Sequence, residues 1–266
     1  MNPATVPSAA SNQPLHTSIG RALGMTLIPL AAIVVLLGSG SLRAAAVPVL
    51  NPSFESPTVP GGFPAYPVID SWQKTPEVPG APLLNGLTWN DEAGVFPNSP
   101  SPLPDHIDNM DGNQAAYLFA TPGVGFFQDL SVTYTVGLSY NLTLGVIGGG
   151  GGMTPGSTLL LEMYYRDAGN NMVTIGGAPI TYTILGFPNT THFLDYTLNL
   201  PMVQAGDAWA GRNIGLEVVA STGTGAGYWD VDNLRIQAVP EPSSLAFAAL
   251  GVGSWIALRV HRRRRA

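Results

Sequence analysis

Tyr140-Asn141-Leu142-Thr143-Leu144-Gly145-Val146 sets an apolar side chain at every second position. That period places them on one face of an extended strand and the polar or small residues on the other. The same beat recurs in Phe193-Leu194-Asp195-Tyr196-Thr197-Leu198-Asn199-Leu200 and in Ile214-Gly215-Leu216-Glu217-Val218, running on to Ala220. Ser157–Arg166, the turn-forming Asp167-Ala168-Gly169-Asn170-Asn171 and Met172–Ile175 read as a hairpin. Further strands are expected over Val47–Phe54, Ala115–Ala120, Phe126–Leu130, Ile180–Leu185 and Gly227–Gln237. No helical period intervenes, so roughly eight to ten short strands in one domain point to an all-β, two-sheet sandwich or jelly roll. The Pro-rich stretches Pro57–Pro82 and Pro97–Pro104 are expected as loops or edges, because each proline removes a ladder donor. Gly148–Gly152, five glycines in a row, reads as a flexible hairpin loop; without a following Lys-Ser/Thr it is no phosphate loop.

The two ends differ from this centre. Arg21 precedes the apolar stretch Met25 to Gly38, and Ala44 and Ala46 fit a small-x-small cleavage pattern, so residues 1–46 read as a signal peptide. At the other end an apolar run, Ser243–Val260, reaches about 27 Å as a helix, enough for a thin bilayer. His261 and Arg262–Arg265 follow it and would stay cytoplasmic. Between them, residues 47–238 form the expected single domain. It carries sixteen acidic side chains against four basic ones, a net −12 where the whole chain has −6. Such a surface excludes a nucleic-acid partner and favours divalent cations. With no cysteine, no disulfide can help an exported fold.

Taken together, Pro240-Glu241-Pro242, the apolar run and the arginine tail over residues 239–266 resemble the PEP-CTERM sorting signal of exopolysaccharide-producing Gram-negative bacteria. The resemblance implies recognition by an exosortase-type membrane enzyme, transient inner-membrane anchoring, and a final place on the outer surface or in the extracellular matrix. A second resemblance rests on Asn51-Pro52-Ser53-Phe54-Glu55, Ile69-Asp70-Ser71-Trp72 and Trp229-Asp230-Val231-Asp232-Asn233-Leu234. These are similar to the first and last strands of the galactose-binding-like jelly roll of carbohydrate-binding modules, with Pro52 where that family prefers Gly. The family often holds calcium where those strands meet. The resemblance therefore implies a calcium site at Glu55 and Asp232, with Asp230 and backbone oxygen near Asn51 as weaker candidates, a chemistry suited to hard oxygen donors.

Sugar binding would call for exposed aromatic platforms. Trp89 and Trp209, in polar surroundings, are the candidates. The group Asp105, His106, Asp108 and Asp111 lacks the spacing of known calcium loops and reads as a solvated loop. The domain has two histidines, no Gly-x-Ser-x-Gly elbow and no His-Glu-x-x-His, and Glu162 and Glu217 read as outward strand positions. The expectation is accordingly a non-catalytic surface or matrix protein associated with exopolysaccharide, with a calcium-dependent, lectin-like sugar-binding module as the alternative.

Overall fold

The computed structural model describes residues 43–240, apart from Phe63 and Asn85. Its strands are β1 (Ala45–Val47), β2 (Gln73–Lys74), β3 (Ala93–Pro97), β4 (Gln114–Phe119), β5 (Gly125–Thr133), β6 (Leu138–Gly150), β7 (Thr158–Arg166), β8 (Met172–Thr181), β9 (Leu194–Leu200), β10 (Asn213–Thr222) and β11 (Tyr228–Pro240). One sheet has the order β3-β4-β11-β6-β9, with β1 added to β11, and the other the order β2-β5-β10-β7-β8. Every pairing is antiparallel, and the two sheets pack as a β-sandwich.

The alternating runs do what their period requires. Tyr140, Leu142, Leu144 and Val146 of β6 are buried, as are Ile214, Leu216, Val218 and Ala220 of β10. On the edge strand β9, Leu198 and Leu200 are buried while Leu194 and Tyr196 are partly covered. The β7–β8 hairpin closes through Asp167–Asn171, with Asn170 at φ 64°.

Two expectations change. The first strand is Ala45–Val47 rather than Val47–Phe54, and it starts two residues before the expected mature start. Beyond it the chain turns, with Asn51 and Phe54 in left-handed backbone. As expected of a loop or edge, the Pro-rich stretch 57–82 holds, among its described residues, only the two-residue edge strand β2. Gly148–Gly150 are strand rather than loop: β11 pairs with Gly150, and aromatic rings fill the space their missing side chains leave. Of the sorting motif, Pro240 ends β11; Glu241, Pro242, the apolar run and residues 1–42 of the N-terminal leader lie outside the described residues. Among the described residues no helix is long and apolar enough to cross a membrane.

On the outer face of the second sheet Glu217 of β10 lies directly across from Glu162 of β7. Burial, and then the neighbouring carboxylate, pushes Glu217 up to about 7, and burial raises Glu162 as well. From the ordinary 4.5 up to about 7, the unfolded chain sheds a proton that the folded protein keeps, so stability falls with rising pH across that window. Glu217→Gln is expected to melt like the native chain at pH 4 and at a higher temperature at pH 8. A melting temperature lower than native at both pH values would show that the pair is not the source.

Candidate active site

Asp230 of β11 lies opposite Tyr117 of β4 on one side and Ile147 of β6 on the other. Because strand side chains alternate, Tyr117 and Phe119 leave β4 on the outer face of the sheet, and Tyr228 and Asp230 leave β11 on the same face. Trp229 and Val231 point the other way and are fully buried in the core. Phe119 meets both tyrosines edge-on, with ring centroids 6.1 Å from Tyr117 and 5.9 Å from Tyr228. Loop residues including Pro67, Leu87, Pro100 and Thr191 roof this face over and leave a cavity of about 1070 Å³. Its lining is mostly apolar and includes Asp91, Asp105 and Asp230 but, among the described residues, no Lys, Arg or His.

Asp230 is 9% exposed. Burial pushes its carboxyl up to about 8, and no hydrogen bond or cation among the described residues holds the ionised form down. At neutral pH it is a protonated carboxylic acid facing an aromatic cavity, able to donate a proton to whatever lies there.

The roof is fastened by polar side chains. The Lys74 ammonium donates to the carbonyls of Pro67 (2.8 Å), Ala93 (2.6 Å) and Asn90, and to Asn90 Oδ1 (3.2 Å). It thereby joins two segments that wall the cavity; burial lowers it to about 8, against the pull of Asp91. The Thr88 hydroxyl (2.7 Å) and backbone N–H (2.9 Å) donate to Asp91 Oδ2 and hold that carboxyl below its ordinary range. The Tyr117 hydroxyl donates to the Asp91 carbonyl (3.1 Å), and burial pushes this phenol up to about 12. Fully buried Glu92 accepts from the Leu84 N–H (3.1 Å) and the Thr121 hydroxyl (2.6 Å), anchoring the neighbouring loop.

A second group gathers where the first turn meets β11. Glu55 Oε1 accepts from the N–H groups of Asn113 (2.8 Å) and Gln114 (2.7 Å). The two oxygens of Asp232 accept from the N–H groups of Asp111 (2.6 Å) and Asn233 (2.7 Å). Burial, with Asp111 and Glu55 adding their charge, pushes Asp232 up to about 7. Asn51, Phe54, Ser71 and Asn233 all have φ between 49° and 70°, a conformation that asparagine tolerates and that strains Phe54 and Ser71. Sequence reasoning dismissed Asp111 as loop, yet its N–H meets Asp232 and its carboxylate takes the Ser53 hydroxyl at 2.5 Å. Asp232 and Asn233 also line a smaller polar cleft of about 410 Å³ with His192 and Asp195. Asp230 stands apart: neither Glu55 nor Asp232 contributes to its shift. Among the described residues no three His, Asp or Glu side chains converge closely enough to hold a metal ion by themselves.

Neither expected sugar platform is presented to solvent as a free face. The Trp89 indole donates to the Thr75 carbonyl (2.8 Å) and packs on the core, and Trp209 stands edge-on to Tyr134 at 4.9 Å. Neither lines the cavity. The rings that do line it, Phe96, Tyr117, Phe119 and Tyr228, escaped sequence reasoning; the available signal was alternation, since they are out of phase with buried Val95, Ala116, Leu118 and Trp229.

A model of the family described as HpiC1 cyclase matches residues 45–237. Among solved structures, a cyclase from Fischerella sp. TAU is similar at 19% identity and TM-score 0.58, over 76% of this chain and 100% of that one. The same organism's cyclase in complex with 4-(1H-indol-3-yl)butan-2-one has 19% identity and TM-score 0.57, over 75% and 100%. A Stig cyclase in complex with (3Z)-3-(1-methyl-2-pyrrolidinylidene)-3H-indole has 19% identity and TM-score 0.56, over 74% and 99%. No curated protein matches this sequence. A xylan-binding domain from Paenibacillus barcinonensis is similar at a TM-score of 0.38, too low to argue from. The family match to a cyclase overturns the expectation of a non-catalytic surface or matrix protein, and with it the exopolysaccharide-associated and lectin-like readings.

The carboxyl of Asp230 ordinarily titrates near 3.8, so from there to about 8 the unfolded chain loses a proton that the folded one keeps. Its burial therefore costs stability increasingly as pH rises through that window. Asp230→Asn is expected to gain on the native chain in melting temperature between pH 4 and pH 9. A difference between the two that stays constant with pH would remove Asp230 as a buried, titrating acid.

Proposed function

The chain belongs to the HpiC1-like cyclase family, and from that membership we propose that the aromatic cavity is the active site of a proton-initiated cyclisation, with Asp230 as the acid. The observation that carries this reading is one buried carboxyl opening into an aromatic-walled cavity with no cation among the described residues of its lining. The protonated carboxyl of Asp230 gives its proton to an electron-rich double bond or aromatic carbon of the substrate. Ring closure captures the resulting cation intramolecularly. Loss of a proton back to the Asp230 carboxylate restores the acid, so nothing but the substrate's connectivity changes. The faces of Tyr117, Phe119 and Tyr228 offer negative charge density to the cation, worth on the order of 0.5–2 kcal/mol per ring. Apolar walls keep out the water that would otherwise trap it.

The lining also says what the substrate is not. A diphosphate leaving group needs Lys, Arg or a metal to hold it. The cavity offers carboxyls instead, which favours a neutral substrate whose cation forms by protonation. The indole compounds held by two of the similar cyclases make an aromatic, indole-bearing skeleton the first class to try.

We further propose a structural calcium ion at Glu55 and Asp232. Carboxylates crowded on Asp232 fit a cation that relieves the repulsion. Since side chains alone do not converge there, the remaining ligands would be backbone oxygens such as those near Asn51. Such an ion would fix the first turn against β11 and takes no part in the proton transfer. We also place the enzyme outside the cytoplasm on the sequence of its N-terminal end, the apolar Met25–Gly38 before Ala44 and Ala46.

Two measurements follow. Asp230→Asn is expected to lower turnover of an indole-alkene substrate by about 10²- to 10⁴-fold, and the native rate to fall as pH rises through about 8. An Asn variant that turns over at the native rate would dismiss Asp230 as the acid. A chelator is expected to lower the melting temperature and calcium to restore it, with Glu55→Gln indifferent to both. A native melting temperature that ignores chelator would discard the ion.

A further inference from the structure

The glycine run at the end of β6 has a use beyond chain reversal. A Cβ on Gly148 would come within 2.7 Å of the Trp229 ring, and one on Gly149 within 2.8 Å of Tyr182. On Gly150 it would lie 2.3 Å from Cε2 and 2.7 Å from Cδ2 of Tyr228; on Gly151 it would lie 3.0 Å from Cδ1 and Cε1 of the same ring. Both edges of Tyr228 therefore rest on bare backbone, one over each glycine. Tyr228 also meets Phe119 edge-on at 5.9 Å. Gly150, Gly151, Tyr228, Phe119 and Asp230 all line the cavity. The ring is seated against the wall because position 150 has no side chain, and it stands two residues from Asp230 on the same strand face.

We propose that Gly150 is a specificity-determining residue, which seats Tyr228 flat against β6 and so sets the width of the cavity beside Asp230 for a planar, fused-ring occupant. This rests on the cavity being the substrate site. Gly150 is the informative position. Gly149 and Gly151 have φ of +98° and +57°, so a side chain there also strains the backbone, whereas Gly150 is outside the left-handed region. An added methyl at 150 acts through the ring alone. With the β6 backbone behind and Phe119 beside it, the displaced ring has the cavity to move into.

The test compares two planar probes by calorimetric or fluorescence titration: indole, with two fused rings, and carbazole, with three. Native protein is expected to bind both. Gly150→Ala is expected to lose about tenfold or more in carbazole affinity while holding indole within about threefold, as one added methyl in a fitted pocket does. Tyr228→Ala in the Gly150→Ala background is expected to recover carbazole binding, an outcome that general damage to the fold would not give. Should Gly150→Ala fail to fold, Tyr228→Trp narrows the same place without touching the glycine and carries the same expectation. Equal binding of both probes by native protein and variant would overturn the role of Gly150 and leave the cavity reading standing. So would an equal loss of both that Tyr228→Ala does not rescue. If native protein binds neither probe, both readings fall together.

Discussion

The register of β11 between β4 and β6 is the constraint on which the site depends. It sets Asp230 against Tyr117 and Ile147, and sends Trp229 and Val231 into the core. A slip of one residue would exchange the faces, placing the carboxyl among apolar side chains and the indole in the open. Burying a tryptophan removes about 150–250 Å² from water, on the order of 4–6 kcal/mol at 25 cal/mol per Å². That outweighs the roughly 1–3 kcal/mol lost because the Trp229 N–H finds no partner among the described residues. The large ring thus fixes the register, and the acid is carried to the outer face as a consequence. Pairing breaks between Tyr228 and Asp230 and again between Asp232 and Arg235, so the strand bends on either side of the acid.

A sheet face is not a cavity until something covers it, and here the cover is loop. The long segment after β1 has little backbone pairing, so its polar groups are satisfied by buried side chains. Gln128 binds the N–H and carbonyl of Leu50 and the carbonyl of Ser71, each at 3.0 Å. Gln114 accepts the Val59 N–H (2.6 Å) and donates to the carbonyls of Phe54 (3.3 Å) and Pro57 (3.0 Å). The Trp72 indole donates to Asn51 (3.1 Å), with its ring packed on Phe54 and Phe126. Lys74 completes the series at the cavity wall. Each reaches from a strand, or from beside one, into a proline-rich loop that has lost donors of its own. The roof is therefore held by single side chains at definite distances rather than by a ladder.

Period-2 alternation made the sandwich legible, because burial on one face is a local demand that each strand writes into its own sequence. β6 and β10 show it at every inward position. What alternation cannot report is which outward residues are covered by a distant loop. Tyr117 and Tyr228 look like ordinary solvent-facing positions until segments some fifty residues earlier in the chain, and more than a hundred, fold over them. The resemblance to the galactose-binding-like jelly roll implies Asp230 only as a weaker oxygen ligand beside Asp232. Their surroundings nonetheless differ, one without a neighbouring charge and one crowded with carboxylates. Trp89 and Trp209 failed as platforms for the converse reason: polar neighbours in sequence did not prevent their rings from turning to the core. The glycine run misled because composition says flexibility, whereas three aromatic rings pack on its backbone.

Searching a sequence for catalytic signatures presumes a reaction that needs several groups in fixed relation, such as a nucleophile, its base and an oxyanion donor. A cyclisation that begins and ends with one proton makes a smaller demand. It needs an acid neutral at working pH, walls that keep water from the cation, and a shape that folds the substrate onto itself. The first follows from burying one carboxyl without a partner, and the second and third from aromatic rings and from a backbone thin enough to seat them. None of these has a spacing rule, since each depends on what the fold brings near. On the proposed reading, a domain with two histidines and no known hydrolytic motif has what such a cyclisation needs, and its chemistry is specified by environment rather than by motif.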